Sequence, residues 1–352
     1  MLHHGGRLIQ EALLRNSDPK QWLDLSTGIS PISYPIPEIP SSIWHRLPED
    51  EDGLLAAASE YYGYPELLPV AGSQAAIMCL PRVLVSQYPN KGTVLMPSVG
   101  YREHAYAWQN GGWSLEYYDT TPNNEQLSRC AVLLIINPNN PTTHKLTTKD
   151  IDNIESRLTE QQVLIIDEAF MDGDSDNSRL SFPLRANTIV LRSLGKFFGL
   201  AGLRVGFVAA NGHWLDRIGQ ELGPWTLSGA SRYIAKVALF DRLWQQSTAR
   251  ELEQLRSKQF SVIKELLPKQ EVVSASLFMR IEHSQAPLLF DFLCDELVLV
   301  RLCDEKDAIR LGLCADSEQL LRLEQALTSA LKRISAFSSP ENSPLPIVGV
   351  QS

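Results

Sequence analysis

The stretch of sequence best equipped for covalent chemistry is SLGKFFGLAGLRVGF, residues 193–207. It follows the apolar run TIVLR and combines Ser193, Lys196 and Arg204 with several glycines. A lysine in a loop at the carboxyl edge of a parallel sheet lies where α/β proteins bind ligands. The hydroxyl and the guanidinium could hold a phosphate while the lysine amine forms an imine with an aldehyde. The alternative interpretation is a glycine-rich turn with two solvated cations.

Two more polar residues follow apolar, strand-like runs. Asp167 ends QVLIID, and a carboxylate there could pair with the pyridine nitrogen of a cofactor ring, although an aspartate that caps a helix is the alternative. Asn140 follows AVLLIIN in the sequence NPNNP. Its amide could bond an oxygen on the same ring, although a simple Asn-Pro turn is the alternative.

A third candidate lies at the predicted start of a helix, where VAGSQAAIMCL places Gly72, Ser73 and Gln74. The first N–H groups of a helix have no partner inside the helix, and the helix dipole favours negative charge at that end. The segment is therefore suited to a phosphate group.

Taken in order, GSQ, NPNNP, DEAF and SxxK-x7-R resemble the fold-type I pyridoxal 5′-phosphate (PLP) enzymes of the aspartate/histidinol-phosphate aminotransferase group. The resemblance extends from about residue 4 to residue 335. It implies an α/β fold, with a large domain built on a mostly parallel sheet and a smaller α+β domain. It also implies PLP as the cofactor.

The same resemblance implies a role for each matching residue. Lys196 would carry the cofactor as a Schiff base, Asp167 would pair with the pyridine nitrogen, and Asn140 would bond the 3′-oxygen. Tyr101, in PSVGYREH, would stack on the cofactor ring, with a tyrosine packed in a loop as the alternative. Arg310, in DAIRLGL, would receive the substrate carboxylate. The cofactor phosphate would be held by Gly72, Ser73, Gln74, Ser193 and Arg204.

Three segments near the N-terminus narrow the expected reaction: HGGR at 4–7, WLDLSTGISP at 22–31 and residues 44–63. They resemble the threonine-phosphate decarboxylase branch of this group, which serves cobalamin biosynthesis. The resemblance implies loss of the Cα carboxylate from L-threonine O-3-phosphate, giving (R)-1-amino-2-propanol O-2-phosphate. The substrate-binding residues are then expected to be His4, Gly5, Gly6, Gly28 and Arg310, with Arg7 and Arg46 as further candidates for its phosphate.

Two other functions stay open. One is an aminotransferase for histidinol phosphate or an aromatic amino acid, which needs 2-oxoglutarate or glutamate as co-substrate. Phe170 and Leu47-Pro48 depart from that pattern, since aminotransferases of this group often carry a tyrosine and a Tyr-Pro pair there. The other is a non-catalytic, PLP-binding regulatory protein, for which the chain lacks the length and the basic patch of a DNA-binding domain.

The elements that must position these residues alternate along the chain. Helices are predicted at LLAAASEYYG, SQAAIMCLPRVLVSQ and TTKDIDNIESRLTE, and strands at TVLMP, AVLLIIN, QVLIID, TIVLRS and RVGFVAA. This alternation of apolar strands and helices indicates a parallel sheet covered on both faces. The expected domains are an arm at 1–45 that joins the small domain, a PLP-binding domain at 46–223, a small domain at 224–335 and a disordered tail at 336–352.

The composition narrows the class of protein further. A net charge of −9 over 352 residues disfavours nucleic acid or an anionic membrane as the main partner. The five scattered cysteines form no CxxC pair and support neither a disulfide framework nor a zinc site, so we expect no metal. No run of about 20 apolar residues and no signal-peptide core is present, so we expect a cytoplasmic protein. The resemblance implies a homodimer.

Overall fold

The computed structural model describes residues 5–337, which form two compact units. The first unit comprises Ile29–Arg256 and Ser274–Leu277. The second comprises residues 5–28, Ser257–Val273 and residues 278–337.

The helices, in chain order, are α1 (Leu8–Leu14), α2 (Ser42–His45), α3 (Leu54–Tyr62), α4 (Ser73–Val83), α5 (Arg102–Asn110), α6 (Asn124–Arg129), α7 (Thr148–Ser156), α8 (Leu194–Phe197), α9 (Gly212–Leu222), α10 (Gly229–Phe240), α11 (Arg242–Leu266), α12 (Ala286–Asp295) and α13 (Ser317–Phe337). The strands are β1 (Leu23–Asp24), β2 (Leu67–Val70), β3 (Thr93–Pro97), β4 (Ser114–Tyr118), β5 (Val132–Ile136), β6 (Val163–Asp167), β7 (Thr188–Ser193), β8 (Gly206–Ala209), β9 (Val272–Ser274), β10 (Phe278–Glu282), β11 (Val298–Leu299), β12 (Arg301–Leu302) and β13 (Ala308–Gly312).

The first unit is built on a seven-stranded sheet with the order β2-β8-β7-β6-β5-β3-β4. All its strands run parallel except β8, which is antiparallel to both β2 and β7. Every residue of β5, β6 and β7 is buried, as expected for central strands with helices on both faces. The predicted α/β fold is confirmed.

The strand register brings the ends of several strands to one edge of this sheet. Ile136 at the end of β5 is paired with Asp167 at the end of β6. Ser193 at the end of β7 is paired with Gly206, and so is Val70 at the end of β2. Gly206 is the first residue of β8, so the antiparallel strand brings its amino end to the same edge. Segments that are far apart in the sequence therefore meet there.

One core of buried residues holds the helices of the first unit against the sheet. Helix α4 packs against α5 and α9, and the apolar faces of these helices cover β3, β5 and β6. The largest side chains in this core include Trp108 and Trp214. Burial of a large aromatic side chain contributes on the order of 2–3 kcal/mol, so this core fixes where α4 and α5 begin relative to the sheet.

The second unit contains a four-stranded sheet with the order β12-β13-β10-β9, and the parallel pair β1-β11. Strands β10 and β13 are antiparallel, and their register pairs Arg280 with Arg310. Helices α12 and α13 pack against each other. A small apolar cluster of Ala12, Trp22, Cys294 and Leu299 attaches the N-terminal segment to this unit.

The compact units differ from the predicted domain boundaries at two places. Residues 29–45 belong to the first unit because Ser30 N donates to Lys196 O and Tyr34 N donates to Phe198 O. Residues 224–256 also belong to it, since α10 packs against α3. The tail predicted from residue 336 begins inside α13, and residues 338–352 lie outside the described residues.

Three expectations about composition can be compared with residues 5–337. All five cysteines are free and buried there, and burial raises the pKa of each thiol, to about 12 for Cys79 and about 11 for Cys303. No helix in this range is long and apolar enough to span a bilayer. The same residues contain no group of three or more side chains that could hold a metal ion.

Candidate active site

A group of hydrogen-bond donors surrounds the N-terminus of α4. Gly72 precedes this helix with φ of 71°, and a Cβ added at Gly72 would lie only 2.5 Å from Arg204 Nη2. A Cβ added at Gly206 would lie 2.6 Å from the backbone nitrogen of Ser73. Ser193 is the strand partner of Gly206. The guanidinium of Arg204 and the backbone of Ser193 therefore lie close to the first turn of α4, as a phosphate site requires.

Lys196 lies in the short helix α8, directly after β7, and is half-buried. Its carbonyl oxygen accepts from Ser30 N at 2.9 Å, which fixes the backbone of this turn. Its Nζ lies 5.2 Å from the centroid of the Phe170 ring. Phe170 presents an aromatic face to the amine, at a position where a tyrosine would offer a hydroxyl.

Asp167 and His104 form a buried pair at the same sheet edge. His104 Nε2 lies 2.8 Å from Asp167 Oδ2, while Asp167 Oδ1 accepts from Ala169 N at 3.0 Å. As a carboxylate Asp167 can only accept, so His104 Nε2 carries the proton of this hydrogen bond. The sequence reasoning did not identify His104. The sequence indicates His104 only through its spacing: it follows Tyr101 by three positions, and this spacing places both side chains on one side of the first turn of α5.

Tyr101 caps the start of α5 and is held at both its hydroxyl and its ring. Its hydroxyl donates to Gln74 Oε1 at 3.0 Å. Its ring meets the His104 ring edge-on, with centroids 6.1 Å apart and an interplanar angle of 84°. The Gln74 side chain is therefore engaged with Tyr101, and the predicted phosphate donor at Gln74 is its backbone N–H.

The loop NPNNP follows β5 at the same edge. Asn137 is fixed by two hydrogen bonds to the backbone of Leu146, at 3.1 Å through Nδ2 and at 2.9 Å through Oδ1. Asn139 donates to the carbonyl oxygen of Val99 at 2.9 Å. Asn140 is half-buried. The first two asparagines thus hold the loop, and Asn140 stays the candidate ligand.

The described part of the second unit contains Gly5, Gly6, Gly28 and Arg310, and two of these, Arg310 and Gly5, meet at Ser26. Arg310 is 4% exposed, and its Nη2 donates to the carbonyl oxygen of Ser26 at 2.7 Å. Gly6 N donates to Ser26 Oγ at 2.7 Å. A Cβ at Gly5 would lie 2.1 Å from the Ser26 carbonyl oxygen, so only glycine fits there. Gly28 is buried at the end of this segment.

A cavity of about 420 Å³ lies in the second unit beside these residues. Its lining includes the glycine and serine just described and both acidic and basic side chains: Gly5, Ser26, Arg7, Arg301, Lys306, Glu11 and Asp304. Arg301 lies 3.7 Å from Asp304. With three cations against two carboxylates, the charged side chains of the lining carry a net charge of +1.

Two of the predicted substrate residues are not among the described residues of the second unit. His4 lies outside the described residues. Arg46 belongs to the first unit, where it is exposed and pairs with Glu49 at 2.5 Å.

The chain matches a known family over most of its length. Residues 52–327 match the family described as aminotransferase class I and II, and the chain belongs to this family. The family predicted from the sequence is confirmed.

Two curated relatives that are more than 30% identical over nearly the full length of the chain carry the same name. The threonine-phosphate decarboxylase of Pseudomonas aeruginosa is 40% identical over 331 residues, which are 93% of this chain and 97% of the relative. The threonine-phosphate decarboxylase of a Sinorhizobium species is 34% identical over 332 residues, 92% of this chain and 97% of the relative. Among solved structures, histidinol-phosphate aminotransferase from Sinorhizobium meliloti in complex with pyridoxal-5′-phosphate superposes with a TM-score of 0.80 at 16% identity, covering 95% of this chain and 99% of that one.

Proposed function

We propose that this chain is a PLP-dependent carboxy-lyase that decarboxylates L-threonine O-3-phosphate to (R)-1-amino-2-propanol O-2-phosphate in cobalamin biosynthesis. The observation that carries the proposal is the 40% identity to the Pseudomonas aeruginosa threonine-phosphate decarboxylase over nearly the whole of both chains. A cytoplasmic location is part of the proposal.

The residues at the edge of the seven-stranded sheet fit PLP. The close approach of Arg204 to Gly72 and of Gly206 to Ser73 leaves no room for a Cβ at either glycine, and it gathers phosphate donors in one place. The buried Asp167 offers a carboxylate for the pyridine nitrogen, and the Lys196 amine offers the attachment point. When bound, PLP supplies a ring that accepts the electrons released as the Cα–carboxylate bond breaks.

The candidate site residues of the first unit would then have the following roles. Lys196 Nζ would bind the cofactor, and either this amine or water would supply the proton that Cα takes up after the carboxylate is lost. Asp167 would pair with the pyridine nitrogen, and His104 keeps its carboxylate oriented through the 2.8 Å hydrogen bond. Arg204, Ser193 and the N–H groups of Ser73 and Gln74 hold the cofactor phosphate.

We further propose that the second unit binds the substrate's anionic groups. Arg310 would receive the carboxylate, because a guanidinium offers two parallel donors. The cavity lined by Arg7, Arg301 and Lys306 would receive the substrate phosphate. Binding energy from this distant phosphate can orient the substrate so that the carboxylate bond, and no other bond at Cα, breaks.

An aminotransferase is the second candidate, because residues 52–327 match the family described as aminotransferase class I and II, and the chain shares its fold with histidinol-phosphate aminotransferase. This likeness at 16% identity concerns the fold alone. Phe170 and Leu47-Pro48 favour the decarboxylase, as both depart from the pattern of many aminotransferases.

We propose that the protein is a homodimer. The large apolar side chains that the first unit exposes by 60% or more include Ile36, Trp44, Leu47, Trp225 and Leu243. A contiguous patch of such side chains would mark a protein–protein interface. Sedimentation equilibrium at micromolar concentration is expected to give twice the chain mass, and a monomer would contradict this proposal.

The function is tested by product analysis with purified, PLP-loaded protein and L-threonine O-3-phosphate. CO₂ and aminopropanol phosphate are expected without any keto acid. Glutamate that forms only when 2-oxoglutarate is added would identify an aminotransferase.

A further inference from the structure

Glu103, in the first turn of α5, forms a hydrogen bond with a residue of the predicted phosphate site. Glu103 Oε2 accepts a hydrogen bond from Gln74 Nε2 at 2.9 Å. Gln74 is also the acceptor for the hydroxyl of Tyr101, through Oε1 at 3.0 Å. Glu103 is thus connected to Tyr101 through a single amide group, and all three side chains are half-buried.

Glu103 decides which way this amide points. A carboxylate only accepts hydrogen bonds, so it must face the NH₂ group of Gln74. The amide oxygen is then turned toward Tyr101, where it can accept from the phenol. Without Glu103, the amide could rotate by 180° and present its NH₂ group to the phenol, which would then accept a hydrogen bond from Gln74 and no longer donate one.

The ring of Tyr101 is restrained by His104 as well. The two rings meet edge-on, and His104 is itself fixed by Asp167. The Tyr101 ring is therefore held through its hydroxyl by Gln74 and Glu103, and through its edge by His104. Both restraints begin in the same turn of α5, at positions 103 and 104.

We propose that Glu103 is a positioning residue for the cofactor ring: by orienting the Gln74 amide, it sets the plane of Tyr101. This inference rests on the proposed role of Tyr101 as the side chain that stacks on the PLP ring. It does not depend on which substrate the enzyme uses.

The test compares five forms of the PLP-loaded protein without substrate: the unchanged protein, Glu103→Ala, Glu103→Gln, Tyr101→Phe and the double variant of Glu103→Ala with Tyr101→Phe. The readouts are the visible circular dichroism of the bound cofactor and the rate at which the cofactor is released. We expect Glu103→Ala to weaken the dichroism and to speed release by about fivefold to tenfold, as for loss of one ordinary hydrogen bond. Glu103→Gln is the matched control, because its amide oxygen can still accept from Gln74, and it should stay within about twofold of the unchanged protein.

The double variant separates positioning from a merely structural role. Phenylalanine at position 101 has no hydroxyl, so orienting the Gln74 amide no longer matters to the ring. Glu103→Ala should therefore add less than about twofold to release when Tyr101→Phe is present. Equal effects of Glu103→Ala in both backgrounds, or no effect of it on dichroism and release, would overturn the proposal. Neither readout uses the decarboxylase substrate, so failure of the proposed reaction would be seen separately in product analysis.

Discussion

His104 Nε2 lies 2.8 Å from Asp167 Oδ2, and both side chains are almost fully buried beside the end of β6. A buried carboxylate that loses one of its donors is left with an unsatisfied acceptor, which costs about 1–3 kcal/mol. Asp167 was predicted as a cofactor ligand from the sequence, whereas His104 is identified from its position in the fold.

The first prediction concerns this pair. His104→Ala is expected to lower kcat/KM for decarboxylation by about tenfold to a hundredfold, because Asp167 is no longer oriented toward the pyridine nitrogen. His104→Gln is the matched control, since its amide nitrogen can donate from a similar position, and it should retain more activity. Steady-state kinetics and the visible spectrum of the bound cofactor measure both effects. Unchanged kinetics in His104→Ala would show that the pair has no role in the reaction.

The second prediction concerns the phosphate end of the cofactor. Gly72→Ala is expected to raise the PLP dissociation constant by about tenfold or more, because the new Cβ would meet Arg204 Nη2 and the backbone there is unsuited to alanine. Gly202→Ala is the matched control, since a Cβ at Gly202 has open space around it. Titration of the cofactor-free proteins with PLP gives both constants. Equal affinity in the two variants would remove Gly72 and Arg204 from the phosphate site.

The third prediction concerns the substrate carboxylate. Arg310→Lys keeps the charge but loses the paired donors, so KM for threonine phosphate is expected to rise by about tenfold to a hundredfold. Arg280→Lys is the matched control, because Arg280 faces Arg310 on the neighbouring strand and is paired with Glu282 and Asp307. Thermal unfolding of both variants checks that the fold is kept. A KM for Arg310→Lys that matches the control would exclude Arg310 from substrate binding.

The central strands and the residues at their ends were predictable from the sequence. Strands β5, β6 and β7 are apolar on both faces, and Asp167 and Ser193 occupy their last positions. The carboxyl ends of parallel strands meet at one edge of the sheet, so the sequence predicts that these polar residues lie close together.

Other features depend on tertiary structure and could not be predicted in this way. Strands β2 and β4 were not predicted because they are the edge strands of the sheet, with a proline in one and exposed polar positions in the other. Packing of α5 against α4 decides which side of α5 faces Asp167. The sequence therefore indicated His104 only through its spacing from Tyr101. The break at Asp241 between α10 and α11 likewise depends on local hydrogen bonding, because Asp241 Oδ1 accepts from Trp244 N.

The central claim, decarboxylation at Lys196, is tested most directly with L-threonine O-3-phosphate labelled with ¹³C in its carboxyl group. The PLP-loaded protein is incubated with this substrate in a sealed NMR tube without any keto acid, beside Lys196→Ala as the control. We predict that labelled CO₂ and bicarbonate appear in step with unlabelled aminopropanol phosphate, and that the Lys196→Ala sample releases neither. Retention of the label in a keto acid, formed only after 2-oxoglutarate is added, would contradict the decarboxylase assignment.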